Sequence, residues 1–60
     1  MTPSELVAFR QRLKLSQKAL ALALGVGRRT LGLYESGARP VPKTVALACA
    51  ALAYGLPPME

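Results

Sequence analysis

The chain is short and basic, and it lacks the residues that enzymes most often use for catalysis. Its 60 residues carry a formal net charge of +5, from eight lysines and arginines against three acidic residues, with one cysteine and no histidine. Such a chain makes one domain, residues 1–60, with a thin core, and it offers no histidine base, paired carboxylates, zinc site or disulfide framework. We expect no enzyme, metal site or cofactor, and the basic charge favours an anionic partner such as nucleic acid.

The first helix is predicted over residues 3–13. Thr2 and Glu5 form a capping-box pattern, with a proline at the first helical position, where its missing N–H costs nothing. Its apolar residues recur at the spacing of one helix face and are expected to point into the core: Leu6, Phe9 and Leu13.

Two short helices joined by a tight turn are predicted next. The second covers residues 17–24, with Ser16 as its cap, Leu20 and Leu24 buried, and Gly25 as its stop in the left-handed conformation. The third covers residues 28–36, begins after Gly27 and ends at a glycine. The pattern therefore predicts a helix, a turn and a helix over residues 16–36.

The third helix combines an apolar face with a basic one. At about 100° per residue, Leu31 and Tyr34 face inward, and the outward face carries four residues: Arg28, Arg29, Gly32 and Leu33. Arginine pairs bidentately with guanine or clamps phosphate, leucine can contact a thymine methyl, and glycine lets a duplex approach closely. The two arginines could instead be ordinary solvated residues. Cations at a helix start and a glycine in mid-helix are both unfavourable locally, which favours the functional interpretation.

A fourth helix is predicted over residues 42–54, after an extended connector rich in proline. This helix is apolar on nearly every side, and so small a domain cannot cover all of it. We expect part of it to form a homodimer contact, with these candidates: Leu47, Ala51 and Leu56. The alternative is that its alanines tolerate exposure. Cys49 is expected to be a small buried residue.

The pattern over residues 16–37 resembles the helix-turn-helix of the Cro/C1-type repressors, also called the XRE family. The matching segments are Ser16-Gln17, Leu20-Ala21, Leu24-Gly25-Val26, Arg28-Arg29-Thr30 and Tyr34-Glu35-Ser36-Gly37. The likeness extends over nearly the whole chain. It implies an all-α, compact four-helix, lambda-repressor-like DNA-binding domain, or a reduced five-helix form whose last helix shrinks to residues 56–60, with the helix-turn-helix at helices 2 and 3.

The resemblance also implies roles for single residues. Positions matching Arg28, Arg29 and Leu33 face base edges, and Gln17 contacts a phosphate and braces the recognition helix. Arg10 and Glu35 form a structural ion pair. The full set of expected phosphate contacts, which includes residues that the resemblance does not itself assign, is Gln17, Lys18, Thr30, Arg39 and Lys43.

The chain departs from the family pattern at two helix caps and on the outward face of the third helix. Ala19 stands where the family usually has glutamate, and Gly27 replaces a serine or threonine cap. Gly32 and Leu33 replace side chains that are often polar. Direct readout then rests on the two arginines, with a short target motif.

These observations predict a sequence-specific regulator of transcription that binds double-stranded DNA as a homodimer on an operator. The alternative is an antitoxin-like module whose apolar C-terminal helix binds another protein, with DNA binding secondary. A membrane-surface peptide is less favoured, because the basic residues spread over several faces. With no secretory pattern and an apolar run, residues 45–53, far shorter than the ~20 residues of a bilayer span, we expect a cytoplasmic, nucleoid-associated protein without a membrane partner.

Overall fold

Four α-helices follow one another in a computed structural model of the chain, which describes residues 1–55. They are α1 (Pro3–Arg12), α2 (Gln17–Leu24), α3 (Arg28–Ser36) and α4 (Lys43–Ala53). The described residues contain no strand. The predicted all-α class is confirmed, and each predicted helix lies within a residue of its expected bounds.

The first helix begins with the predicted capping box. The Glu5 N–H donates to Thr2 Oγ1 at 3.1 Å, and the Thr2 N–H donates to Glu5 Oε1 at 2.7 Å. The hydrogen bond from the Thr2 backbone N–H, followed by that with the Thr2 hydroxyl, lowers the pKa of the Glu5 carboxyl from its ordinary 4.5. The negative carboxylate also suits the positive end of the helix dipole.

The end of α1 corrects one prediction. The helix stops at Arg12, so Leu13 caps it, is exposed and does not point into the core as expected. Lys14 adopts a left-handed conformation with φ 57°, and the Leu15 N–H donates to the Arg10 carbonyl at 3.2 Å. This reversal of the chain turns Leu15, instead of Leu13, against the core.

Local hydrogen bonds define both ends of α2 and the turn that leads to α3. Ser16 Oγ accepts the Ala19 N–H at 3.0 Å and caps α2. Gly25, with φ 74°, ends that helix, and the Val26 N–H donates back to the Ala21 carbonyl at 3.0 Å. The left-handed glycine that was predicted there is confirmed.

The core lies where α1 and α2 pack against α3, with α4 closing it against α2. The fully or nearly buried residues are Leu6, Leu20, Ala21, Leu31, Tyr34, Val45 and Cys49. Leu24, predicted as buried, is half-buried and packs at the edge of this cluster. Cys49 is buried as predicted, and loss of hydration raises the pKa of its thiol above 9.0.

Candidate nucleic-acid interface

The start of α3 presents two arginines to solvent. Leu31 and Tyr34 are buried and hold the opposite side of the helix against the core. Arg28 and Arg29 are exposed on the first turn. The residues buried on one side of a helix determine which residues lie on the opposite side. Because α3 packs through Leu31 and Tyr34, both guanidiniums extend away from the protein.

The rest of the outward face of α3 is smaller and less accessible. Gly32 and Leu33 are both half-buried, so Leu33 offers only part of its side chain to a ligand. The Leu33 carbonyl accepts the Ser36 hydroxyl and the Arg39 backbone N–H, each at 3.2 Å. The second bond ties the exposed Arg39 to the end of α3, which holds a further cation close to that helix.

Glu35 joins the first three helices. Arg10 Nε donates to Glu35 Oε2 at 2.8 Å, and its Nη2 donates to Oε1 at 3.2 Å. Gln17 Nε2 donates to the same Oε1 at 3.0 Å, while Arg10 Nη1 donates to the Leu15 carbonyl at 3.1 Å. With side chains 19% and 6% exposed, Arg10 and Glu35 form a mostly desolvated, bidentate pair.

The cluster around Glu35 fixes the position of α3 relative to α1 and α2. Its bonds reach α3 at the last turn, whereas Arg28 and Arg29 lie on the first. Gln17, expected to touch a phosphate, uses one amide N–H on Glu35 and retains its carbonyl oxygen and its second N–H. Its bond to Glu35 joins α2 to α3 and orients the Gln17 side chain at the start of α2.

The remaining residues expected to contact phosphate differ in accessibility. Lys18, Arg39 and Lys43 are exposed, whereas Thr30 is half-buried on the flank of α3. A further exposed cation, Lys14, lies in the turn before α2, where its left-handed conformation had no signal in the sequence. Within residues 1–55, Arg10 is the basic residue that pairs with a carboxylate. The other cations are therefore available to an anionic ligand.

The described part of the chain contains neither a metal-binding cluster nor a helix that could cross a membrane. No group of histidine, cysteine, aspartate or glutamate side chains gathers within residues 1–55. Likewise, no helix there combines the length and the apolar character that a bilayer span requires. The exposed arginines and lysines are thus the chemically distinctive groups of the described surface.

The family model described as a helix-turn-helix domain matches residues 4–60. The chain belongs to the helix-turn-helix domain family. This membership confirms the resemblance found in the sequence at the level of the family, and it indicates a DNA-binding regulator. No curated protein and no solved structure matches the chain significantly.

Proposed function

We propose that this helix-turn-helix protein is a sequence-specific transcriptional regulator that inserts α3 into the major groove of double-stranded DNA. The observation that carries the proposal is the exposed pair Arg28 and Arg29 on the first turn of α3, opposite the buried Leu31 and Tyr34. Helices of this kind contact base edges with their N-terminal residues.

Direct readout would rest mainly on the two arginines. Each guanidinium can donate two parallel hydrogen bonds to guanine O6 and N7, a pairing that discriminates by about 1–3 kcal/mol. Leu33 would contribute an apolar contact with a thymine methyl through the accessible part of its side chain. So few reading groups predict a short motif containing guanine.

Affinity would come mostly from the phosphates. The expected contacts are Gln17, Lys18, Thr30, Arg39 and Lys43. Each phosphate neutralised releases condensed counterions, so the logarithm of the binding constant falls with the logarithm of salt concentration, by about 0.9 per contact. Anionic phosphates also suit α3 itself, whose Gly27 cap offers no side-chain bond and whose two arginines oppose the helix dipole.

A homodimer would form through the outward face of α4. By the helical period, this face consists of Leu47 and Ala50, continued by Tyr54, the residue that caps the helix. Leu47 is 61% exposed and Tyr54 83% exposed. Ala51, expected at the contact, is half-buried on the flank, and Leu56 lies outside the described residues. Tyr54 lies on this face, although the sequence pattern did not indicate it as a contact residue.

The distribution of charge favours a second copy of the chain as the partner that binds this face of α4. The eight basic residues lie between positions 10 and 43, and residues 44–55 carry no charge. Two strongly basic molecules repel each other, and this repulsion is weakest when they meet through uncharged surfaces that keep their charges apart. Pairing the two copies through residues 47–54 brings uncharged segments together and leaves the arginines of both copies for DNA.

Selection of bound sites from random duplex DNA at about 50 mM and 200 mM salt tests this proposal. We expect a motif that persists at the higher salt, contains guanine in each half, and repeats as a palindrome with half-sites one helical turn apart. A single half-site would contradict the homodimer alone. Binding that shows no sequence preference at either salt concentration would contradict the regulator itself and favour a protein-interaction module.

A further inference from the structure

Gly32 is the one glycine of the chain whose place the fold itself does not explain. Of the five glycines, it alone lies inside a helix. Gly25, Gly37 and Gly55 adopt positive φ, which glycine tolerates best, and Gly27 caps α3. Glycine is among the poorest helix formers in a helix interior, so this position works against the stability of α3.

No neighbour within the protein requires a glycine at position 32. Apart from its chain neighbours and the backbone of its own helix, a Cβ built there meets no atom of residues 1–55 within 4 Å, and the φ of the residue does not lie in the left-handed range. An alanine would therefore fit without a clash and would favour the helix. The described residues thus leave room for a methyl group at position 32, and their packing supplies no reason for its absence.

Gly32 belongs to the same face of α3 as the two arginines. Around the helix axis, Gly32 lies roughly 40° from Arg28 and 60° from Arg29. Because helical side chains lean towards the N-terminus, a side chain at position 32 would cover the surface over the turn that carries these arginines. With no side chain at position 32, the half-buried Gly32 leaves part of the helix backbone accessible beside both guanidiniums.

We propose that Gly32 is the point of closest approach between α3 and DNA, where the helix backbone itself touches the floor of the groove. This inference rests on the proposed DNA-binding function and adds a steric element of specificity. With no side chain at position 32, α3 can enter deeply enough for both arginines to reach base edges. Any side chain there lifts the helix away from them.

The test compares wild type with Gly32→Ala and Gly32→Gln, measuring thermal unfolding by circular dichroism and affinity for the selected duplex by fluorescence anisotropy. Gly32→Ala should raise Tm by about 4–8 °C, because alanine favours the helix. It should nevertheless weaken DNA binding about ten- to hundredfold, since a methyl group forced into a packed contact is destabilising. Gly32→Gln should bind more weakly still. Opposite changes in stability and affinity exclude misfolding as the cause.

Ala8→Gly provides the matched control, since Ala8 is exposed inside α1, far along the chain from the arginine face. It should lower Tm by a similar amount and leave DNA affinity unchanged. If wild type binds its site and Gly32→Ala or Gly32→Gln binds equally well or better, the role of Gly32 is overturned while the DNA-binding function stands. If wild type binds no duplex, both are overturned.

Discussion

The arginines of the first turn of α3 and the arginine after that helix should differ in how their loss affects DNA binding. Arg28 is exposed on the reading face, whereas Arg39 follows α3 and is joined to it by a backbone hydrogen bond. A base contact carries sequence information, and a phosphate contact contributes affinity regardless of sequence. The two residues therefore offer a matched pair of variants with equal loss of charge.

Arg28→Ala should cost about 1–3 kcal/mol on the selected site and relax specificity at one base pair. Arg39→Ala should weaken binding about equally on all sequences and reduce the salt slope by about 1. Titration of the selected site and of each single-base variant at several salt concentrations measures both effects. A uniform loss across sequences for Arg28→Ala would remove its base-reading role.

Glu35 shows how one carboxylate can stabilise an entire small domain. It accepts three hydrogen bonds, from Arg10 on α1 and Gln17 on α2, while belonging to α3 itself. Glu35→Gln keeps the shape but leaves the Arg10 guanidinium mostly desolvated without a counter-charge. We expect a loss of about 2–3 kcal/mol, the usual range for hydrogen bonds to charged groups.

A domain of this size has only about 3–9 kcal/mol of stability, so Glu35→Gln should lower Tm by roughly 10–20 °C. Urea unfolding followed by circular dichroism measures this loss. Lys18→Gln serves as the control, because Lys18 is exposed and its charge is not paired within residues 1–55. A Glu35→Gln variant as stable as that control would show that the cluster contributes nothing.

At the scale of an element, the capping box of α1 should make the stability of the helix depend on acid. The pKa of Glu5 is lowered in the folded chain, first by the backbone N–H of Thr2 and then by its hydroxyl. A carboxyl whose pKa is lowered by folding stabilises the fold above its ordinary pKa of 4.5. That contribution is lost as the pH falls below this value, through the lower pKa of the folded state.

Glu5→Gln keeps the geometry of the box but removes the titration. The difference in Tm between wild type and Glu5→Gln should therefore shrink as the pH is lowered from about 6 to about 3. Thr2→Ala retains the Thr2 backbone N–H, the larger cause, and should lower Tm while keeping most of this acid dependence. A constant difference between wild type and Glu5→Gln over the whole range would rule out a role for ionised Glu5.

At the scale of the whole molecule, the separation of charge from apolar surface predicts how two copies meet. Leu47→Glu adds a carboxylate to the proposed contact on both copies, where burial of a charge is strongly unfavourable. We expect the dimer dissociation constant to rise at least about tenfold, and binding to the palindromic site to weaken with it. Analytical ultracentrifugation measures the first effect.

Leu22→Glu is the matched control for the dimer contact. Leu22 is 75% exposed on α2, on a different helix from the proposed contact face, so this variant makes the same chemical change elsewhere. It should leave self-association unchanged. A wild type that remains monomeric at high micromolar concentration would exclude the α4 dimer and leave that face to a different protein.

Local patterns in the chain were enough to predict where most of the helices begin and end, and which side of α3 is buried. Thr2, Ser16 and Gly25 act on backbone groups only a few residues away, so their roles can be predicted from the sequence. The period of the helix similarly separates Leu31 from Arg28. Local hydrogen bonds and helical geometry suffice for these features.

Contacts between distant segments determine which apolar residues the domain covers and which helices Glu35 joins. Leu13 and Leu15 have the same chemistry, but the left-handed turn at Lys14 exposes the first and packs the second. The exposed face of α4 depends on how that helix docks against α2. The position of Glu35 within reach of Arg10 and Gln17 joins residues that are distant in the chain. Such features follow from the packing of one segment on another, which no local pattern specifies.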